Sequence, residues 1–268
     1  MNQQIDTKAG LKLIENFVRK AETELDQRWT SWKIDFNQLE VHEVVGALVA
    51  RQVTLAKYLA CNPSLWNWDI APLFLRPMTE VYLNLVWIFA NPSERTRTFI
   101  LHGLGQMKLR VEHRKAAHES MPAEQAQIFA ASIKSTERWI DSQQYGFLTE
   151  VNLGNWAELN QREMAKEVGE LEFYNYCYTP YSAGVHSMWH HVGIYNLKRC
   201  KNPLHKLHKV PVVPQFDADA HFLILAGKYL QMVFDLFDEK TGVKIKKPSA
   251  FQMLCDAISK LAKSDTTP

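Results

Sequence analysis

Apolar residues recur along this chain every three or four positions and almost nowhere in strict alternation. That period belongs to helices with one buried face rather than to half-buried strands. Leu11, Ile14, Phe17, Val18, Ala21 and Leu25 share a face of a helix predicted from Thr7 to Trp32. Val41, Val45, Leu48, Leu55 and Leu59 do the same between Leu39 and Ala60, although Gln52 interrupts the stripe. Asn62-Pro63 ends this second helix, because proline cannot continue the hydrogen-bond ladder. From Leu73 to Ala90 apolar residues cover nearly every face, which predicts the central, most buried helix. Asn91-Pro92 then stops one helix and starts another, running to Glu119. Ser120-Met121-Pro122 repeats that signal and predicts a fifth helix reaching Gln143.

The second half is more broken. Tyr145–Leu159, with Gly146, Gly154 and Asn155, reads as irregular. A short helix is expected near Gln161–Gly169 and a longer one over Leu171–Leu197. Lys198–Pro214 carries three prolines and many cations and reads as a loop. A long helix over Asp217–Glu239, a terminal helix over Pro248–Lys263 and a frayed tail complete the chain. No Asn-Gly or Asp-Gly hairpin turn is present. The expected fold class is all-α, a multi-helix bundle of about eight to ten helices. It is read as a single helical domain over residues 1–268, with a basic loop at 198–214 and a C-terminal helix and tail at 248–268.

Composition narrows the setting. With 46% hydrophobic and 22% charged residues among 268, the chain can bury a core and is not globally disordered. A net charge of +2 selects no partner by itself. Cys61, Cys177, Cys200 and Cys255 form no Cys-x-x-Cys pair and read as reduced thiols of a cytoplasmic protein. The N-terminus lacks the apolar core of a secretory signal, and Val81–Ala90 and Phe222–Ala226 fall short of the about 18 apolar residues of a membrane span. No membrane association is expected, whereas leftover apolar faces predict a homo-oligomer.

Two segments carry candidate chemistry. Arg76 and Glu80 stand four residues apart on the most apolar helix, where a charge is costly without a partner. Tyr178, Ser182, His186 and His190 follow one another at intervals of four, a stripe of hydroxyls and imidazoles on one predicted helix face, with Tyr181 beside it. Such groups surround a ligand or move a proton. Equally, they form a packing face of satisfied core histidines. Pro180 is expected to bend or restart the helix there.

The pattern Arg76-Pro-x-x-Glu80, a later Trp156, then Tyr178-x-x-Tyr-Ser-x-x-x-His186 resembles an uncharacterised family of bacterial helical proteins of unknown function, over about Leu39–Tyr195. The resemblance implies a bundle in which Arg76, Glu80, Ser182 and His186 converge, and implies no activity. The fold type and polar cluster also distantly resemble the HEPN superfamily of helical bundles, many of them RNases or nucleotide-binding modules. Its signature, Arg then four to six residues then His, is met by Arg97–His102, Arg95–His102 and Arg199–His205, but ten histidines make chance matches common.

Three functional readings follow. In the first, Arg76 clamps an anion, Glu80 orients Arg76 or His186, and His186 is the acid/base. Tyr178, Ser182, Tyr181 and His190 line the ligand, a nucleotide, an RNA or another phosphate-bearing molecule. In the second, the cluster is structural and the bundle binds a protein partner. In the third, His186 and His190 share a metal, as Asp217 and His221 could by the same spacing. The cations Lys198, Arg199, Lys201, Lys206 and Lys209 with His205 and His208, and a second group Lys244, Lys246 and Lys247, would attract phosphate. No cofactor is named by the sequence. Phosphate-loop, Gly-x-Ser-x-Gly and His-Glu-x-x-His motifs are absent.

Overall fold

The computed structural model describes residues 8–118, 121–143 and 157–264. The first five helices lie where apolar periodicity and the proline stop-and-start signals placed them: α1 (Lys8–Ser31), α2 (Leu39–Ala60), α3 (Pro72–Ala90), α4 (Pro92–His118) and α5 (Ala123–Asp141). Proline sits in the first turn of α3 and of α4, where its missing N–H costs nothing. Among the described residues the fold is an all-α bundle of about ten helices with one two-stranded hairpin. None of the helices is long and apolar enough to cross a membrane. The irregular reading of Tyr145–Leu159 falls largely outside the described residues, as do Trp156 and the helix end at Glu119.

The second half corrects the sequence reading in three places. The helix expected over Leu171–Leu197 is interrupted twice. After α6 (Gln161–Glu167), α7 (Leu171–Phe173) widens into a π turn over Tyr174–Tyr178, continues as α8 (Thr179–Val185), and breaks before α9 (Trp189–Tyr195). Pro180 accounts for the first interruption, since it lacks the N–H and its ring crowds the preceding turn. The wider turn relieves that crowding, with the Thr179 N–H reaching Tyr174 O. Second, the loop expected over Lys198–Pro214 contains a short antiparallel hairpin, β1 (Leu197–Arg199) paired with β2 (Lys209–Pro211). Third, the long helix expected from Asp217 begins at His221, as α10 (His221–Thr241). There the Asp219 N–H is held by Trp66 O, and its carboxylate takes the His221 N–H. Asp217 and His221 therefore do not share a helix face. The last helix, α11, covers Ala250–Ser264.

The main core is built by α1, α2, α3, α10 and α11, around fully buried Phe17, Leu59, Trp66, Leu75, Phe222 and Phe234. Gln52, out of place in the apolar stripe of α2, donates from Nε2 to Tyr229 O on α10 at 3.0 Å. A buried ionic knot ties the ends together. Arg28 forms a two-pronged pair with Asp238 (2.8 and 2.7 Å) and lies 3.9 Å over the Phe234 ring. Glu24, fully buried beside Arg28, accepts the Ala250 N–H at 2.9 Å and so anchors the start of α11. Farther out, α4 and α5 pair as a hairpin with their own small cluster of Val111, Ile133 and Ile140.

His42 is buried between Trp29 and Trp32, with ring centroids at 4.0 and 4.3 Å. Burial pushes its imidazole below the usual histidine range, against the pull of a backbone hydrogen bond at Trp32 and the charge of Glu43. A base depressed in the folded state takes up its proton more readily when unfolded. Its stabilising contribution is therefore complete above pH 6.5, the ordinary histidine value, and is lost as pH falls below it. Between about pH 7 and about pH 5 the melting temperature of the native chain should fall more steeply than that of His42→Gln. Arg28→Ala, which removes the partner of Asp238 and leaves buried Glu24 with the longer Lys20 contact, should cost about 3–5 kcal/mol in urea unfolding.

Candidate functional site

Helix α3 is enclosed by α2, α10, α4, α6 and α8, yet it carries Arg76, Glu80 and Asn84 at intervals of four. The line of polar groups faces the later part of the chain. Arg76 Nη1 lies 2.7 Å from His186 Nε2, and Nη2 donates to the Tyr178 hydroxyl at 2.5 Å. The guanidinium carbon sits 4.5 Å from the centre of the Tyr178 ring. Because a guanidinium only donates, His186 Nε2 must accept and the ring proton sits on Nδ1. The Nε–H of Arg76 is buried and has no hydrogen-bond partner among the described residues.

Glu80 and Asn84 form the next rungs. Gln161, at the start of α6, donates from Nε2 to Glu80 Oε1 (3.3 Å) and to Asn84 Oδ1 (3.0 Å). Burial pushes the Glu80 carboxyl up, while the nearby charge of Arg76 and the Gln161 bond hold it back. Among the described contacts no direct ion pair joins Glu80 to Arg76; its hydrogen-bond donor is Gln161. Burial also pushes the Tyr178 phenol up, so it keeps its proton while accepting from Arg76.

The helix breaks decide which side chains reach Arg76. The π turn sets Tyr178 on the α3 side, packed with Leu83 and Ala165. Helix α8 closes with Met188 N–H on Ala183 O and Ser187 N–H on Gly184 O, the paired bonds of a left-handed cap. Ser187 takes that left-handed conformation at φ 49° without being glycine, and His186 lies just before it. Gly184 makes the approach of α8 to α3 tight. A β-carbon there would stand 3.1 Å from His191 Cε1 and 3.2 Å from Pro72 Cβ.

Of the residues expected at the site, the structure brings together Arg76, Tyr178 and His186, with Glu80 one turn along α3. Ser182 turns its hydroxyl back to Tyr178 O at 3.5 Å. Tyr181 is buried in the main core, its hydroxyl 2.9 Å from that of Tyr229. The expected face joining His186 to His190 is broken by the cap at Ser187. His190 lies on α9, exposed, and the pair does not share a helix. Its neighbour His191 is the buried one, bonded through Nε2 to Asp69 Oδ1 at 2.9 Å. Sequence spacing singled out neither Asp69 and His191 nor Asn84 and Gln161. Asn84, four residues beyond Glu80, was legible by the same rule that found Glu80. Of the arginines in the Arg-then-His spacings, Arg95 is engaged with Glu167 and stacked 3.9 Å over Trp87.

Residues 42–202 match a family of unknown function, DUF5677, and the chain belongs to that family. No curated protein and no solved structure matches the chain.

Tyr178→Phe keeps the ring over Arg76 and removes only the acceptor. It should lower stability by about 1–3 kcal/mol, read in urea unfolding.

Proposed function

We propose that this member of a family without an assigned activity uses the Arg76–Tyr178–His186 cluster to bind the anionic group of a phosphate-bearing ligand, a nucleotide or an RNA. One observation carries the reading. The half-buried Arg76 is met by a neutral imidazole and a neutral phenol instead of a carboxylate, and its buried Nε–H is unpartnered. Its nearest carboxylate, Glu80, stands one turn away and is bonded to Gln161 instead, so the guanidinium keeps an unmet demand for a bonded anion. The guanidinium fork matches phosphate oxygens, and Tyr178 O–H and His186 Nδ1–H are further donors around it. An arriving phosphate would take over Arg76 Nη1 and release His186 Nε2 to accept a proton, which is the role expected of an acid/base in phosphodiester cleavage. Glu80, held by Gln161, which also bonds Asn84, gives the cluster a fixed wall.

A second reading has its own support. Trp189 and Ile194 on α9 are 73% and 67% exposed, an apolar surface next to the cluster in sequence that suits a protein partner. In that case the Arg76 contacts only clamp α8 to α3.

Isothermal titration with a nucleoside monophosphate and with a short single-stranded RNA separates the two. The site reading expects binding that weakens about 10–100-fold in Arg76→Gln, the loss of a charge-assisted hydrogen bond. It also expects any RNA cleavage to disappear in His186→Ala. No binding by the native chain, with both variants merely melting at lower temperature, would establish the clamp instead.

A further inference from the structure

A third group of chemistry-bearing residues lies at the tip of the β1–β2 hairpin, outside the Arg76 cluster. Among the described residues, Cys200, His205 and His208 are the one set of three or more side chains whose metal-binding atoms gather, each within 4.8 Å of the others. Cys200 Sγ is 3.7 Å from His205 Nδ1. Zinc bonds of about 2.3 Å to sulfur and about 2.0 Å to nitrogen at a tetrahedral angle place those two atoms about 3.5 Å apart. Bringing His208 to tetrahedral spacing asks an exposed imidazole to close a gap of no more than about 1.5 Å.

The backbone is built to hold this triangle. The strand pairs Leu197–Pro211, Lys198–Val210 and Arg199–Lys209 are followed by one more bond, Cys200 N–H to His208 O at 3.0 Å. Cys200 and His208 therefore stand opposite each other on the hairpin. Two turns close the loop, His205 N–H on Asn202 O and His208 N–H on His205 O, and they bring His205 back over Cys200. The Asn202 N–H points at Cys200 Sγ at 3.5 Å, the bond that stabilises a coordinated thiolate. Asn202 Nδ2 also lies 3.3 Å from His205 Nε2. A metal on Nδ1 moves the ring proton to Nε2, so on loading Asn202 must turn its amide away.

We propose that Cys200, His205 and His208 form a zinc site. The donor chemistry selects the ion: one thiolate and two imidazoles suit zinc and exclude magnesium or calcium, which take oxygen. Three protein ligands leave a fourth position for water or for a donor atom of a ligand. With one negative ligand, the bound dication keeps a positive charge at the tip, beside Lys198, Arg199, Lys201, Lys206 and Lys209. The ion would thus pin a short, solvent-exposed hairpin that has little core of its own. The site is independent of the anion-binding reading of Arg76.

The test uses the untagged full chain, reduced and stripped of metal, titrated with cobalt(II) as a spectroscopic stand-in and with zinc in competition against a chromophoric chelator. The expected result is one cobalt per chain, with a thiolate-to-cobalt charge-transfer band and the intense visible absorption of tetrahedral coordination. Cys200→Ser should remove the thiolate band. Cys200→Ser, His205→Gln and His208→Gln should each weaken zinc by more than about 100-fold, the upper range seen for groups that merely support a ligand. Their helical circular dichroism should stay native, and His190→Gln should bind as the native chain does. Cobalt bound without a thiolate band, no metal bound at all, or unchanged zinc affinity in any one of the three variants overturns the site.

Discussion

The helix with the least access to water, α3, carries a guanidinium, a carboxylate and an amide along one line, and the architecture around it answers to their desolvation. Each of the three groups needs a polar neighbour, because the apolar helices α2 and α10 on its other sides offer none to spare. The later segments supply them in order: α8 and the π turn bring His186 and Tyr178 to Arg76, and α6 brings Gln161 to Glu80 and Asn84. The second half of the bundle is thus docked on α3 by directional contacts as well as by packing. Its irregularity, with short helices broken at chosen residues, is what lets it meet them.

The buried Arg28 and the half-buried Arg76 make an instructive contrast. Arg28 is met by the paired oxygens of Asp238 and stands beside Glu24, and the Glu24 carboxylate also takes a backbone N–H. With Lys20 also 3.6 Å from Glu24, each charge in this knot of α1, α10 and α11 stands beside an opposite one. Arg76 has the same kind of aromatic platform but only neutral hydrogen-bond partners. The charge balance of its surroundings, more than its depth, is what supports the proposed anion site there.

Backbone irregularity serves the same end at three positions. Pro180 forces the π turn that presents Tyr178, the left-handed Ser187 ends α8 so that His186 stops at Arg76, and Gly184 lets α8 come close enough for both. The same cap sends the chain into α9 in a new direction, so His191 turns inward to Asp69 and His190 outward to water. Beyond α9 the hairpin folds Cys200, His205 and His208 together, although the sequence there offers only a run of cations and prolines.

What the sequence determined by itself was local. The 3.6-residue period, the Asn-Pro stops and the absence of alternation settled the all-α class and placed α1 to α5 within a residue or two wherever their ends are described, because helix formation and termination depend on neighbours a few positions away. The two halves of the polar cluster were legible for the same reason, as charges and hydroxyls at a helical spacing that burial would make costly. Tertiary structure alone decided which of them meet. Arg76 and His186 are 110 residues apart, and Asp69 and His191 are 122 apart, distances over which no periodicity carries information. Tyr181 joined the core and His190 left the stripe because the helix of Leu171–Leu197 breaks twice, and Gln161 entered beside Glu80 because α6 packs on α3. Where a helix breaks depends on what the packed neighbours offer to its freed backbone groups, and that is a property of the folded chain rather than of any segment of it.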